Sequence, residues 1–484
     1  MQGNEKVIVF RNTRPPAQGC ALYLARDLGL PAASDILALL PDGDLSGASA
    51  ALREALKGGT AFHNSNLTRE ERIVVEQAFR QPDSRVRVLA ATTTVAAGIN
   101  TPASTVILAE NEFVGEEGRP FTVAEYKNMA GRAGRLGYNE KGKSIIYAET
   151  PMERRALFGK YVRGQLERLE SSFDPRHIDT WLVRLLAQVT TMSRSDVPRL
   201  LANTYAGYLE NRRDPGWRKR IEHEINALLD RMISLGLVEV VGDTVSLSLL
   251  GRACGRSSLS FSSAMRLIEI IRRIPASSVT ALNLMALMQG LPQDEIGYTP
   301  MFKKGTKESA RVGQASQRFG HDIINALQRY AQDQFEFYAR CKRASVLFDW
   351  VSGRKIEEIE RDYTTTPYSG RIEHGDVRRF ADMTRFHLRA AADILSILLV
   401  QRNPEQDLNI LLTQLEFGLP KQAIGLLALP LGLNRGEYLG LWAAGIKTVD
   451  EVWAAPVDLL KRVLGDKRAS GLDKFRPQTS SISA

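Results

Sequence analysis

Cysteine is scarce in this chain: Cys20, Cys254 and Cys341 are the three in 484 residues, and they lie far apart. An odd, scattered set excludes a disulfide framework and a cysteine zinc site. It suits a reducing compartment, so a cytoplasmic location is the expectation. Long apolar runs are also missing. No stretch approaches the ~18 residues of a membrane span, so no membrane partner is expected. The opening MQGNEKVIVF has no basic segment ahead of an apolar core, and a secretory signal is not expected there. No internal repeat is evident. No pair of carboxylates closes an apolar strand, where a nucleotide's magnesium ion is commonly held. Asp294 and Glu295 lie just after a proline, and Asp450 and Glu451 open a helix. No metal ligands are assigned. Acidic residues are not in excess either: 64 Lys and Arg face 55 Asp and Glu, a net charge of +9. That balance mildly favours a polyanionic partner.

What is present is an ordinary globular composition, 44% hydrophobic and 25% charged. The length fits about three to four domains. Residues 1–155 alternate between strand and helix signals. KVIVF, GTAFH, RVRVLAA, STVILAE and KSIIYAE are strand-like. Thr68 with Glu71, and Thr122 with Glu125, spell capping boxes at helix starts. Ile73, Val74, Gln77 and Ala78 are taken as the apolar side of the first of these helices. Such alternation predicts a parallel sheet with helices on both faces, and functional loops at the carboxyl ends of its strands.

Residues 175–258 change character. Ile221, Ile225, Leu228, Leu229, Met232 and Ile233 make one helical stripe. LVEVV, Gly242-Asp243 and TVSLSL then read as strand, tight turn and strand, the outline of a winged helix or of another small α+β unit. Residues 262–402 are helical, with a polar excursion over Gln293–Gln314 expected to be mobile. Residues 403–475 are helical again, with a glycine-bearing hairpin near Gly432 and a helix stopped by Gly445. A tail, 476–484, is expected to be disordered.

One stretch makes two claims on a phosphate. Ala130–Ser144 reads AGRAGRLGYNEKGKS. Its second half spells a P-loop, G-x-x-x-x-G-K-[ST]. A working P-loop follows a strand and opens a helix, so that backbone N–H groups cradle the phosphates. Here a capped helix comes before and a strand after, so the match is taken as a connector. In the first half, Arg132 and Arg135 stand three apart and are expected to share one helical face. Gly131 and Gly134 leave room for a close neighbour, and guanidinium forks suit phosphate oxygens.

The order VIVFRNTR, AFHNSNLTREERIVVEQAFR, VRVLAATTTVAAGINTPASTVI, EYKNMAGRAGR resembles the second RecA-like domain of superfamily II helicases of the Ski-like branch. VLAATTTVAAGIN looks like motif V and YKNMAGRAGR like motif VI. The resemblance implies that Arg132 and Arg135 are catalytic arginine fingers on a γ-phosphate. It places Gly98, Asn100 and Asn128 beside ATP, with Asn128 standing where the family usually has glutamine. It places Asn12, Arg14, His63, Thr92 and Thr93 along a nucleic-acid backbone. Phe113 falls in the segment matching the family's strand-separating hairpin, as a wedge or as a cover for core.

Beyond Pro151 the resemblance is looser. It implies a winged helix, then a helical ratchet domain over Val346–Leu395 whose Arg378, Arg379 and Arg385 track a single strand, then a helix-hairpin-helix at 403–475. There Gly432-Leu433-Asn434-Arg435 replaces the preferred Gly-hydrophobic-Gly, and Asn434 is expected to supply a left-handed conformation. The whole is a multidomain chain: an α/β RecA-like parallel sheet, a winged helix and mainly α-helical domains.

In this family the Walker A cradle and the magnesium carboxylates come from a first RecA-like domain. The resemblance therefore implies the carboxyl-terminal portion of an ATP-dependent 3′-5′ helicase. It would act on single-stranded DNA or RNA, and use ATP and Mg2+ only together with a partner polypeptide or segment carrying that first domain. Alone it is expected to be inactive. The alternative is a catalytically inactive nucleic-acid-binding adaptor derived from a helicase.

Overall fold

A computed structural model of the chain describes residues 5–93, 103–113, 118–134, 141–168, 177–292, 296–304, 306–399 and 405–477. Its first unit is a five-stranded sheet of β1 (Val7–Phe10), β2 (Thr60–His63), β3 (Val88–Ala91), β4 (Thr105–Leu108) and β5 (Lys143–Ile146), in the order β2-β3-β1-β4-β5. All its pairings are parallel. Val7 sits between Val88 and Thr105. Every residue of β2 and β3 is buried, as expected where both faces of a parallel sheet are covered.

The helices between these strands start where side chains can satisfy free N–H groups. Helix α1 (Arg14–Asp27) carries prolines in its first turn, where no N–H is needed. Helices α2 (Gly47–Leu56), α3 (Arg69–Arg80) and α4 (Val123–Ala130) each begin in a reciprocal capping box. In α3 the Glu71 N–H donates to Thr68 Oγ1 at 3.2 Å and the Thr68 N–H to Glu71 Oε2 at 3.0 Å. Such a cap is worth about 1 kcal/mol. The inward face of α3 differs from the sequence reading. Glu71, Val75, Ala78 and Phe79 are buried, while Ile73 is 42% exposed. The large Phe79 sets the rotation of the helix, and Ile73 and Gln77 are carried away from the sheet.

The next unit contains α5 (Ile178–Leu186), β6 (Met192–Ser193), α6 (Trp217–Ser234), β7 (Val238–Val241) and β8 (Thr244–Leu247). Its antiparallel strands run β6-β8-β7, with Gly242 at φ 60° in the tight turn. The stripe Ile221, Ile225, Leu229, Met232 is buried. Strand β6 is two residues long and gave no sequence signal.

The remainder is helical, and the helices that bear on the site or the joins are α7 (Gln334–Val351), α8 (Ile356–Tyr363), α9 (His374–Leu398), α10 (Glu405–Phe417), α11 (Arg435–Ala443) and α12 (Val449–Ala454). No described helix is long and apolar enough to cross a membrane.

The hydrophobic cores divide the chain differently from its composition. One core spans Ile8 to Tyr161 and another Leu419 to Leu472. Between them a single continuous core runs from Ile178 to Leu415. The unit at 175–258 therefore shares its interior with 262–402. Helix α10 buries Leu408, Leu411, Leu412 and Leu415 in that same core. The Trp350 indole N–H donates to the Leu415 carbonyl at 2.9 Å and fixes the join.

The excursion expected over Gln293–Gln314 is packed where it is described. Met301 and Glu308 are buried, and a helix begins at Ala310. Buried Lys342 donates to the Pro300 carbonyl at 2.8 Å and to Glu308 at 3.2 Å. Lys342 itself lies on α7, and its role as an anchor has no local sequence signature.

Candidate nucleic-acid interface

The carboxyl ends of β1 and β3 open on one side of the sheet. After β1, Arg11 Nε pairs with Glu110 at 2.6 Å, and the Asn12 N–H donates to the same carboxylate at 3.1 Å. The chain then turns into α1 at Arg14. After β3, Thr92 is tied back by its N–H to the His63 carbonyl at 3.3 Å. Helix α9 meets these loops with its first turn. Asn66 donates to Glu373 at 2.8 Å, Arg14 donates to Asn66 at 2.7 Å, and His374 Nδ1 lies 3.2 Å from the Asn66 carbonyl.

The result is a cleft of about 920 Å³. One wall is Asn12, Thr13, Arg14, Thr92 and Thr93 with the start of α3. The opposite wall is α9, through Gly375, Arg378, Arg379 and Met383. The third side is Leu433 to Gly436, at the start of α11. Trp350 forms part of the floor, with the Arg435 guanidinium 4.1 Å and the Arg378 guanidinium 5.8 Å from a ring centroid. Six arginines line the cleft (Arg14, Arg69, Arg72, Arg378, Arg379, Arg435) against Asp44, Glu70, Asp382 and Glu416. Both side-chain polar atoms of Asn12 are buried without a hydrogen-bond partner. A buried amide in that condition costs roughly 1–3 kcal/mol. A ligand in the cleft would relieve it.

The structure brings together most of the expected contact residues and separates others. Asn12, Arg14, Thr92, Thr93, Arg378 and Arg379 all face the cleft. Arg385 does not line it; that side chain is held by Asp382 at 3.3 Å and by Glu416. His63 also points elsewhere. Its ring is buried, with Nε2 2.9 Å from Glu76, and burial holds its pKa below the ordinary histidine value against the pull of that carboxylate. Phe113 packs edge-on to Phe121 at 4.7 Å under the Arg119 guanidinium, also at 4.7 Å, and adjoins the sheet core.

The motif VI segment is shaped differently from the reading of the sequence. Helix α4 ends at Ala130, so Arg132 lies beyond it in a turn, 5% exposed, and not on a helical face. Gly134 sits at φ 70°, and Ala133 is bridged to Ala103. Asn128 is exposed near the end of α4. Gly98, Asn100 and Arg135 lie outside the described residues. Of the P-loop spelling, Lys143 opens edge strand β5 and not a helix. Gly142 packs on the backbone of Ala133 and Gly134, where an added Cβ would lie 2.2 Å from either.

Asn434 does not take the left-handed conformation expected of it. At φ −81° and ψ 168° it is the N-cap of α11 in a capping box with Glu437. Trp350, Arg72, Arg435 and Asp376 were not singled out from sequence as site residues. They come from α7, α3, α11 and α9, and only tertiary packing assembles them.

Residues 44–137 match the model of the helicase conserved C-terminal domain. The chain is also 26% identical over 492 residues to the ATP-dependent DNA helicase Hel308 of Caldivirga maquilingensis, covering 96% of this chain and 63% of that protein. It is 27% identical to the Hel308 of Pyrobaculum calidifontis over 94% of this chain and 61% of that one. With the Hel308 of Methanocella arvoryzae the figures are 26%, 96% and 61%. The chain resembles the carboxyl-terminal half of a superfamily II helicase. It spans about three fifths of the length of these curated relatives. The matched helicase segment holds α2, α3, β2 to β4 and α4, and so Thr92, Thr93 and the start of α3 on the sheet side of the cleft, while Asn12 to Arg14 precede it.

Proposed function

We propose that this chain is the carboxyl-terminal portion of an ATP-dependent 3′-5′ DNA helicase, supplying arginine fingers and a single-strand channel. The cleft carries the reading. It joins the β1 and β3 ends of a RecA-like sheet to a 25-residue helix bearing Arg378 and Arg379, so a strand held there touches both motor and track. Contacts of this kind to a phosphate backbone give sequence-independent, salt-sensitive binding. The relatives are named as DNA helicases, which favours DNA over RNA.

In this reading Arg132 and Arg135 face the γ-phosphate of ATP, where they stabilise charge that develops during hydrolysis. Gly98, Asn100 and Asn128 border the same nucleotide. Among the described residues no group of three His, Cys, Asp or Glu side chains is placed to hold a metal. The magnesium carboxylates and the phosphate cradle would come from a first RecA-like domain, in a partner polypeptide or in a further part of the same protein. The unit at 175–258 would serve as a winged helix.

The test is ATPase activity with single-stranded DNA, measured with and without a polypeptide carrying Walker A. Activity appearing only in the mixture supports the proposal. Robust activity from the pure chain sinks it. Tight strand binding with no activity in any mixture marks an adaptor.

A further inference from the structure

We infer that Asp376 is a positioning residue that makes one phosphate seat from two arginines of different domains. This rests on the single-strand reading of the cleft. Arg14, from the sheet unit, places Nη2 2.7 Å from Asp376 Oδ1. Arg379, on α9, places Nη2 3.4 Å from the same oxygen. The Asp376 side chain is 1% exposed, whereas those of Arg14 and Arg379 are 28% and 34% exposed. The carboxylate thus lies beneath the cleft wall and the two guanidinium groups reach the surface above it.

Its other oxygen accepts the Glu373 N–H at 3.2 Å, which fixes the carboxylate to its own helix. Arg14 is held further by Asn66 at 2.7 Å, and Arg379 by the Tyr298 carbonyl at 2.6 Å. Gly375 is part of the arrangement, because an added Cβ would lie 2.7 Å from Arg14 Nη1 and 2.4 Å from Asn66 Oδ1.

Charge decides what the seat takes. Two cations share one buried anion, so one positive charge is left over. Each guanidinium has five N–H donors, and those not spent on Asp376, Asn66 or Tyr298 remain for a ligand. A phosphodiester oxygen of a single strand in the cleft satisfies both. The seat exists only while α9 is docked on the sheet unit, so it also ties backbone grip to domain position.

The experiment is a double-substitution cycle on the full chain, with a fluorescein-labelled DNA single strand read by anisotropy across a salt series. Arg14→Gln and Arg379→Gln should each weaken binding about tenfold, the loss of a charge-assisted contact. The pair together should weaken it only slightly more, because either change alone dismantles the seat. Asp376→Asn should weaken binding to a similar extent and lower the slope of log affinity against log salt by about 0.7 per lost phosphate. If the arginine effects multiply to about a hundredfold, the two act separately and the inference falls. It falls equally if Asp376→Asn tightens binding, which would make Asp376 a competitor of phosphate. Circular dichroism establishes that Asp376→Asn is folded; if it is not, the arginine cycle decides alone. A wild-type chain that binds no strand would overturn the cleft reading itself, and the seat with it.

Discussion

Gly43 and Gly436 pack backbone to backbone across the join between the sheet unit and the carboxyl-terminal helices. An added Cβ on Gly436 would lie 2.6 Å from the Gly43 carbonyl carbon, and one on Gly43 would lie 3.2 Å from Gly436 Cα. Gly436 lies in the first turn of α11, where helix propensity alone favours alanine by about 1 kcal/mol. Backbone cannot yield as a flexible side chain does, so the clash outweighs propensity. Gly436→Ala should destabilise the chain by about 1–3 kcal/mol, as overpacking does. Urea denaturation measures the loss, and faster proteolysis between residues 418 and 434 would show where the join opens.

The same join is locked by charge. Arg435 pairs with Asp44, and both side chains are largely buried, at 12% and 7% exposure. Arg435 also donates to the Gly418 carbonyl at 2.9 Å and to the Arg354 carbonyl at 2.7 Å. Asp44 accepts the Ile356 N–H at 2.8 Å and is the one non-glycine residue with positive φ among the described residues, at 54°. Removing one member of such a pair leaves an uncompensated buried charge, a loss of about 3–5 kcal/mol. Asp44→Asn keeps a residue tolerant of that backbone conformation and removes the charge. Its denaturation midpoint should drop accordingly. An unchanged midpoint would show that the pair contributes nothing to stability.

His374 makes the join sensitive to acid. Burial, with Arg378 adding to it, pushes its pKa down to about 4 from an ordinary 6.5. The unfolded chain therefore binds a proton at this site between pH 6.5 and 4, while the folded chain does not. Unfolding is favoured as pH falls through that window. A shift of this size corresponds to roughly 3 kcal/mol at most. The melting temperature should fall from pH 7 to pH 4.5, and His374→Gln should flatten the fall. A parallel decline in both proteins would assign the acid sensitivity to other groups.

The first 150 residues were readable because their signals are local. Capping boxes at Thr68 and Thr122 and β-rich runs such as KVIVF specify start points that tertiary packing did not override. The face of α3 was misread because Phe79, at its far end, decides the rotation. The cleft was only half legible. Asn12, Arg14, Thr92 and Thr93 follow strands, and in a parallel sheet strand ends converge on one edge. Asp376, Trp350 and Arg435 became neighbours of that edge through long-range packing, with Asp376 meeting Arg14 at a sequence separation of 362. No spacing in the chain encodes such a contact. The helical unit at 262–402 and helix α10 looked separable because composition does not show that one core runs through both.

The P-loop spelling at Gly137–Ser144 gives the sharpest contrast between two adjacent residues. Lys143 is exposed at the start of edge strand β5, and its backbone N–H donates to the Ser104 carbonyl at 2.9 Å. A lysine gripping phosphate would be needed for turnover; a lysine on a sheet edge would not. Gly142 is the opposite case. It lets the chain pass against Ala133 and Gly134 beside Arg132, and a side chain there meets backbone on two fronts. In a preparation reconstituted with a Walker A polypeptide, Lys143→Ala should keep ATPase activity within about twofold, a surface change of small effect. Gly142→Ala should lower activity at least tenfold, because it displaces the turn that carries Arg132, and misplacing a catalytic group by about 1 Å can cost a hundredfold. It should do so while strand binding in the cleft persists, since neither Ala133 nor Gly134 lines that cleft. Loss of turnover in Lys143→Ala with Gly142→Ala unaffected would reverse the assignment and restore the P-loop.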